Sequence, residues 1–191
     1  MVGKILIALV VVVAAFVIVV ATRPAEFHIE RSITVGTPPT RVFAQVNDLH
    51  AWAAWSPWEK LDPKMERTHS GAPAGPGATY AWKSESGKVG QGRMTIEKSE
   101  APVLVVVTLE FIKPFAATNT VTFSFEDTTQ GTKVTWAMDG RNGFMGKAFA
   151  LLMNMDKTVG GDFERGLVGL KAVAESAEKS AASVAGGTAS Q

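Results

Sequence analysis

The feature that most constrains this chain is a series of short segments in which apolar and polar residues alternate, followed by one long helical segment. In the first, residues 27–35, Phe27, Ile29 and Val35 lie on one side of an extended strand, and Arg31 interrupts that apolar side. Five more alternating segments follow between turn residues, and they cover residues 78–83, 90–97, 103–111, 118–126 and 132–139. This succession predicts an antiparallel meander with one buried face.

Helical periodicity appears between the first two strands and again after the last. Val42, Phe43 and Val46 predict a short amphipathic helix over residues 39–49, and a second short helix is expected over residues 147–154. The final helix carries an apolar stripe formed by Met155, Val159, Phe163, Leu167, Leu170 and Ala174.

Four glycines interrupt that final helix: Gly160, Gly161, Gly166 and Gly169. Inside a helix each destabilises by up to ~1 kcal/mol relative to alanine. A helix face without side chains can lie very close to a neighbouring element. The glycines therefore predict a close approach of this helix to a strongly curved sheet.

Residues 5–21 form an apolar segment without a charged or polar side chain. As a helix the segment spans roughly 25 Å, which is near the lower limit for crossing a bilayer core. We interpret residues 1–24 as a single-pass transmembrane anchor. A cleaved signal peptide is the main alternative, although the segment exceeds the usual signal core, and a buried core helix is disfavoured because no face is polar. The short amino-terminal tail favours a domain on the exported side, in the periplasm or outside the cytoplasm.

Composition excludes several classes of function. The chain has 19 Lys and Arg against 18 Asp and Glu, and without Lys4 in the apolar leader the charges balance, so we expect no nucleic-acid partner. It has no cysteine, which excludes disulfides and thiolate metal sites. His28, His50 and His69 are scattered, and we expect surface positions, no metal and no cofactor. Residues 176–191 are rich in Ala, Ser and Gly and are predicted to be a disordered tail.

Three stretches carry a family resemblance: FHIERSITVGTPPTRVF (27–43), DLHAWAAWSPWEKLDP (48–63) and MDKTVGGDFERGLVGLK (155–171). With them the chain resembles the START/Bet v 1-like (SRPBCC) superfamily, in its membrane-anchored bacterial polyketide cyclase/dehydrase and lipid-transport group. The resemblance covers roughly residues 25–175 and implies an α+β helix-grip fold. In that fold a curved antiparallel sheet wraps around a long C-terminal helix, with a cavity between them.

The resemblance also implies which residues line such a cavity. From the apolar strand faces and the helix we expect Trp82, Met94, Val107, Leu109, Phe123, Trp136, Met138, Phe163 and Leu167 to bind the ligand. Core packing is the alternative for each, and it is strongest for Leu109 and Phe163. Trp52, Trp55 and Trp58 are spaced three residues apart, and they are interpreted as a lid over the cavity, a membrane-interface belt, or core beneath the first helix.

No catalytic motif is recognisable. Asp162 with Arg165 and Asp156 with Lys157 are expected to form ion pairs on the helix surface, and Glu59 or Asp62 is expected to pair with a nearby cation such as Lys60, Lys64 or Arg67. The predicted inward faces contain almost no titratable residue, so catalytic residues are not assigned.

The leading hypothesis is therefore a membrane-tethered, non-catalytic module that binds a small hydrophobic or lipid-like molecule. A polyketide cyclase/dehydrase-like enzyme is the first alternative, and a titratable residue inside the cavity would favour it. An envelope or stress protein-interaction domain without a ligand is the second, and a filled interior would favour it.

Overall fold

The computed structural model of the chain describes residues 2–87 and 89–187. Within them the strands are β1 (Glu26–Val35), β2 (Glu66–Gly71), β3 (Ala78–Lys83), β4 (Gln91–Glu100), β5 (Leu104–Lys113), β6 (Ala117–Thr128) and β7 (Gly131–Arg141). The helices are α1 (Val2–Thr22), α2 (Pro39–Asn47), α3 (Trp52–Trp55), α4 (Phe144–Leu152) and α5 (Met155–Gly187).

The strands form one antiparallel sheet in the order β1-β7-β6-β5-β4-β3-β2. Consecutive strands are neighbours from β2 to β7, and β1 returns to pair with β7. The sheet curves around α5, whose apolar stripe is buried against it. The prediction of an α+β helix-grip fold with an additional N-terminal apolar helix is confirmed.

The strand register defines two ends of the sheet. At one end Glu26 of β1 pairs with Arg141 of β7, and Gln91 of β4 pairs with Lys113 of β5. We call this the proximal end, because β1 begins there four residues after α1 ends at Thr22. All seven strands have one end there, at Glu26, Glu66, Lys83, Gln91, Lys113, Ala117 and Arg141.

Strand β2 was not predicted from the sequence. Its residues ERTHSG lack apolar alternation, and all six are exposed at the edge of the sheet. The pattern that identifies a strand arises from burying one face, and this edge strand buries neither. The other strand and helix boundaries differ from the predictions by a few residues, as for α4, which begins at Phe144 rather than residue 147.

Three of the four helix glycines in α5 lie at close contacts. A Cβ on Gly166 would come within 2.7 Å of the Trp136 ring, and a Cβ on Gly169 within 2.7 Å of the Trp55 carbonyl oxygen. A Cβ on Gly160 would overlap the Arg31 guanidinium, whereas a Cβ on Gly161 would meet the Arg165 guanidinium at an ordinary 3.7 Å. The glycines thus allow close approach to the sheet at Gly160 and Gly166 and to α3 at Gly169.

Arg31 interrupts the apolar side of β1 because it reaches across to α5. Its Nε donates to Glu164 at 2.8 Å, and its terminal nitrogens donate to both carboxylate oxygens and the carbonyl of Asp156. These hydrogen bonds lower the pKa of Asp156. The expected Asp156–Lys157 pair is therefore replaced by a link between sheet and helix, whereas the expected Asp162–Arg165 pair is present.

Helix α1 is long and apolar enough to cross a membrane. Of its side chains, Val20 in the last turn is buried, and the others are exposed. It therefore extends away from the domain. The C-terminal helix also differs from expectation, since α5 continues to Gly187 through residues predicted to be disordered. Ala has the highest helix propensity, which explains the continuation; residues 188–191 of the predicted tail lie outside the described residues.

Candidate ligand-binding cavity

A cavity of about 350 Å³ lies between the sheet and α5. Most of its wall is apolar. The apolar side chains include Phe27, Met65, Val121, Met155 and Val159 together with six of the nine residues predicted to bind ligand. A volume at the lower end of the range for small-molecule sites, with a mainly apolar wall and few polar groups, is typical of a ligand cavity.

The six predicted residues that line the cavity come from both layers. They are Trp82, Met94, Leu109, Trp136, Met138 and Phe163. Leu109 and Phe163 were expected to be the best candidates for plain core, and their position in the wall corrects that expectation. Leu109 is only partly buried, unlike Val107 on the same face of β5.

Val107, Phe123 and Leu167 do not line the cavity, which corrects their predicted placement. All three are at most 1% exposed and lie in the solid core. The Phe123 ring packs among aromatic rings, with its centroid 5.6 Å from Trp52 and 4.7 Å from Trp136. Alternation identifies the inward face of a strand, but it does not show which part of that face the neighbouring elements fill.

The tryptophan cluster divides between core and cavity. Trp52 and Trp55 are buried, and their indole N–H groups donate to the carbonyls of Val46 at 2.9 Å and Gln45 at 3.2 Å in α2. Trp52 and Trp55 are therefore core residues beneath α2, and they form neither a lid nor a membrane-interface belt. Trp52 also touches the cavity. Trp58 is only partly buried and lines the wall beside Trp136 and Phe163.

Trp136 is the centre of this aromatic group. Its ring stacks on Phe163 with a centroid distance of 4.3 Å and an interplanar angle of 9°. The side chain is 2% exposed, and its buried indole N–H has no hydrogen-bond partner among the described residues. Trp136 therefore joins the core to the cavity wall, and it contributes a buried donor beside that wall.

Titratable groups also line the cavity, contrary to the expectation of almost none. Glu59 accepts hydrogen bonds from the Tyr80 hydroxyl at 2.5 Å and from Arg67 Nε at 2.7 Å. Burial and the bond to Glu59 raise the pKa of Tyr80 well above its ordinary value, which keeps the phenol neutral. Arg67 lies on β2, so the strand missed by sequence analysis supplies the cation. Because both Glu59 oxygens are engaged, the carboxylate is held as part of the wall.

Asp162 and Arg141 are the other charged residues in the wall. Asp162 is engaged by Arg165 of the same helix. Arg141 ends β7 and is exposed at the proximal end. The polar part of the wall consists of these two residues together with Ser56, Glu59, Tyr80, Asn119 and Asn142.

The cavity wall reaches the surface at the proximal end. Leu61, Ala117 and Arg141 are exposed and also line the cavity, and Val89 and Phe111 beside them are only partly buried. Ala117 and Arg141 are strand ends, Val89 lies two residues before β4, Phe111 lies two residues before the end of β5, and Leu61 precedes β2. The cavity therefore reaches the surface at the end of the domain nearest α1.

The three histidines lie outside this cavity wall and are exposed, as expected. His28 Nδ1 donates to Asp139 Oδ1 at 2.7 Å, and this hydrogen bond raises the pKa of His28. The rings of His50 and His69 stack at 4.1 Å. The described residues contain no group of three or more metal-ligating side chains.

The comparisons with known proteins agree with this architecture. The family model described as "Polyketide cyclase / dehydrase and lipid transport" matches residues 26–175. The chain belongs to that family. A search of curated proteins finds no match.

Solved structures share the fold of this polyketide cyclase/dehydrase and lipid transport family member at low sequence identity. SA2116 of Staphylococcus aureus, a protein of unknown function, is 13% identical, with a TM-score of 0.61 over 82% of this chain and 98% of that chain. Ara h 8.0201 is 14% identical, with a TM-score of 0.56 over 79% and 99%. The di-domain ARO/CYC StfQ from the steffimycin biosynthetic pathway is 9% identical, with a TM-score of 0.60 over 81% and 53%.

Proposed function

We propose that this chain is a membrane-tethered module that binds a small hydrophobic or lipid-like molecule in the cavity between the sheet and α5. The observation that carries the proposal is the cavity of about 350 Å³ with a largely apolar wall. Flexible Met94 and Met138 and the aromatic rings adapt to an apolar ligand. The family description, which includes lipid transport, supports the same function.

Tethering is proposed on the length and apolar character of α1. A ligand that partitions into the bilayer is concentrated there, so an anchored binding domain meets it at a higher effective concentration than a free one. We further propose that the domain lies on the exported side of the membrane.

The test is native mass spectrometry of the full chain purified from membranes, with organic extraction of any bound molecule. We expect a reproducible hydrophobic adduct at one per chain. We expect Leu109→Trp to abolish it, because the added ring occupies the cavity. The intact mass of the same sample also distinguishes an anchor, which retains residues 1–24, from a cleaved signal.

The matched control is Val103→Trp, which adds the same ring at a position that is 55% exposed just before β5. This variant is expected to keep the adduct. An unmodified chain that carries no adduct and takes up none from a panel of fatty acids would exclude the proposal, as would equal retention by Leu109→Trp and Val103→Trp when both are folded.

A cyclase/dehydrase-like enzyme is the second candidate, and the titratable wall residues favour it. Tyr80 is the group to test, since its neutral phenol touches the cavity. If the domain only binds, Tyr80→Phe keeps the adduct, because the hydroxyl is used on Glu59 rather than on the ligand. If the domain is a cyclase, the unmodified chain cyclises a linear poly-β-ketone thioester and Tyr80→Phe loses that activity.

The protein-interaction alternative assumed a filled interior, which the structure does not have.

A further inference from the structure

An exposed apolar patch lies beside the point where α1 meets the domain. On α4 it comprises Phe144, Met145 and Phe149, followed by Met153, and on the β5–β6 hairpin Ile112 and Phe115. We call these six side chains the α4 patch. Each is about half exposed, from 45% to 57%. The rings of Phe115 and Phe149 lie 6.4 Å apart, which joins the hairpin to the helix.

The patch is continuous with the contact between α4 and α1. Lys147 Nζ on α4 donates to the Ala21 carbonyl in the last turn of α1 at 3.3 Å. The exposed part of α1 points away from the domain, so α4 lies at the base of the apolar helix. Clustered exposed apolar side chains in a protein of this size mark a contact with another molecule or with lipid.

The short connection between α1 and β1 places the patch at a bilayer surface if α1 spans the membrane. From Thr22 at the end of α1 to Glu26 at the start of β1 there are four residue steps, which reach at most about 14 Å. The headgroup layer on each side of the hydrocarbon core is about 5–8 Å thick. The proximal end therefore lies at or against the headgroups.

Four cations at this end fit an anionic lipid surface, where Glu26 and Glu66 are the carboxylates at the strand ends. Arg23, Lys113, Arg141 and Lys147 lie close to the patch in the fold, and none has a carboxylate within ion-pair distance among the described residues. An apolar face bordered by cations is the arrangement with which peripheral helices bind anionic membranes.

We infer that the α4 patch inserts into the headgroup layer of the membrane that α1 crosses, and that the cavity exchanges its ligand with that bilayer through the proximal end. The second part rests on the proposed function, while the first requires only α1 as an anchor. The cavity wall reaches the surface among Leu61, Ala117 and Arg141, at the same end as the patch.

The absence of cysteine permits a direct test on the full chain. Phe149→Cys and, as control, Val103→Cys are labelled with an environment-sensitive fluorophore. Val103 is equally exposed but lies at the opposite end of the sheet, before Leu104. Both proteins are reconstituted into phosphatidylcholine vesicles with a minority of phosphatidylglycerol and of nitroxide-labelled lipid. We expect the label at residue 149 to be quenched severalfold more strongly than that at residue 103. Equal quenching would overturn the inference.

A second copy of the chain is the other possible occupant of the patch. In that case unlabelled Phe149→Cys chains form a disulfide-linked dimer in the same vesicles and the label at residue 149 is not quenched by the nitroxide lipid, which also overturns the inference.

Exchange is tested with Phe149→Glu, which places a charge in the patch and leaves the cavity wall unchanged. We expect it to retain a bound fluorescent fatty acid but to exchange it with vesicles severalfold more slowly than the unmodified chain. Val168→Glu, on an exposed position of α5, is the control. An unchanged rate in Phe149→Glu excludes exchange through the patch. If the unmodified chain binds no fatty acid but the label at residue 149 is still quenched, the proposed function has failed, whereas the insertion of the α4 patch is supported.

Discussion

Replacing Trp136 with alanine is expected to lower the free energy of unfolding by about 3–5 kcal/mol. The side chain is 2% exposed, and its ring packs against Trp55, Trp58, Phe123 and Phe163 with centroid distances of 4.3–5.7 Å. Removing it opens a void in the centre of the core, which the stacked rings can close only in part. A loss of that size is a large fraction of the total stability of an ordinary domain.

The measurement is urea unfolding of the full chain in detergent micelles, followed by tryptophan fluorescence. α1 contains no tryptophan, so the signal reports on the domain alone. Trp82→Ala is the matched control, because Trp82 also lines the cavity but is only partly buried. We expect a clearly smaller loss for Trp82→Ala. Equal losses for the two variants would contradict a core centred on Trp136. The same burial makes Trp136→Ala a poor test of ligand binding, for which Leu109→Trp is better suited.

Gly169→Ala is expected to destabilise the domain by roughly 1–3 kcal/mol, although alanine is the better helix former. The new Cβ would lie 2.7 Å from the Trp55 carbonyl oxygen. A backbone atom cannot rotate away, so α3 or α5 must move. This movement would also disturb Trp55, which packs on Phe123 and Trp136.

Gly161→Ala provides the opposite expectation within the same helix. Its Cβ would meet only the Arg165 guanidinium, at an ordinary 3.7 Å. Helix propensity then dominates, and we expect stabilisation by about 0.5–1 kcal/mol. Urea unfolding of both variants gives the signs. Destabilisation by Gly161→Ala, or stabilisation by Gly169→Ala, would show that the packing between α3 and α5 is not as described.

Local pattern was sufficient for much of the fold. Val121, Phe123 and Phe125 alternate with polar residues because β6 buries one face, and the i, i+3 and i+4 stripe of α5 is apolar because it faces the sheet. β2 was missed because an edge strand with both faces exposed carries no such pattern. The cavity was harder to predict. Leu109 and Val107 lie on the same face of β5, yet only Leu109 borders the cavity.

The neighbouring elements fill this face of the sheet unevenly. Phe123, which pairs with Val105 and lies diagonally across from Val107, is covered by the α3 tryptophans, whereas Leu109 is only partly buried. The expectation that Glu59 pairs with a nearby cation is confirmed for Arg67. Its place in the cavity wall depends in addition on the Tyr80 hydroxyl of β3, which residue spacing did not indicate.

The apolar N-terminal helix, the inward faces of most strands, the stripe of α5 and the family could be predicted, because each depends on the period or identity of residues close together in the chain. The fold was needed to show where the sheet and α5 separate to leave a cavity, which polar groups meet in its wall, and that α4 exposes an apolar patch beside α1. These features depend on how elements that are distant in the chain pack against one another. The spacing of residues along the chain does not determine that packing.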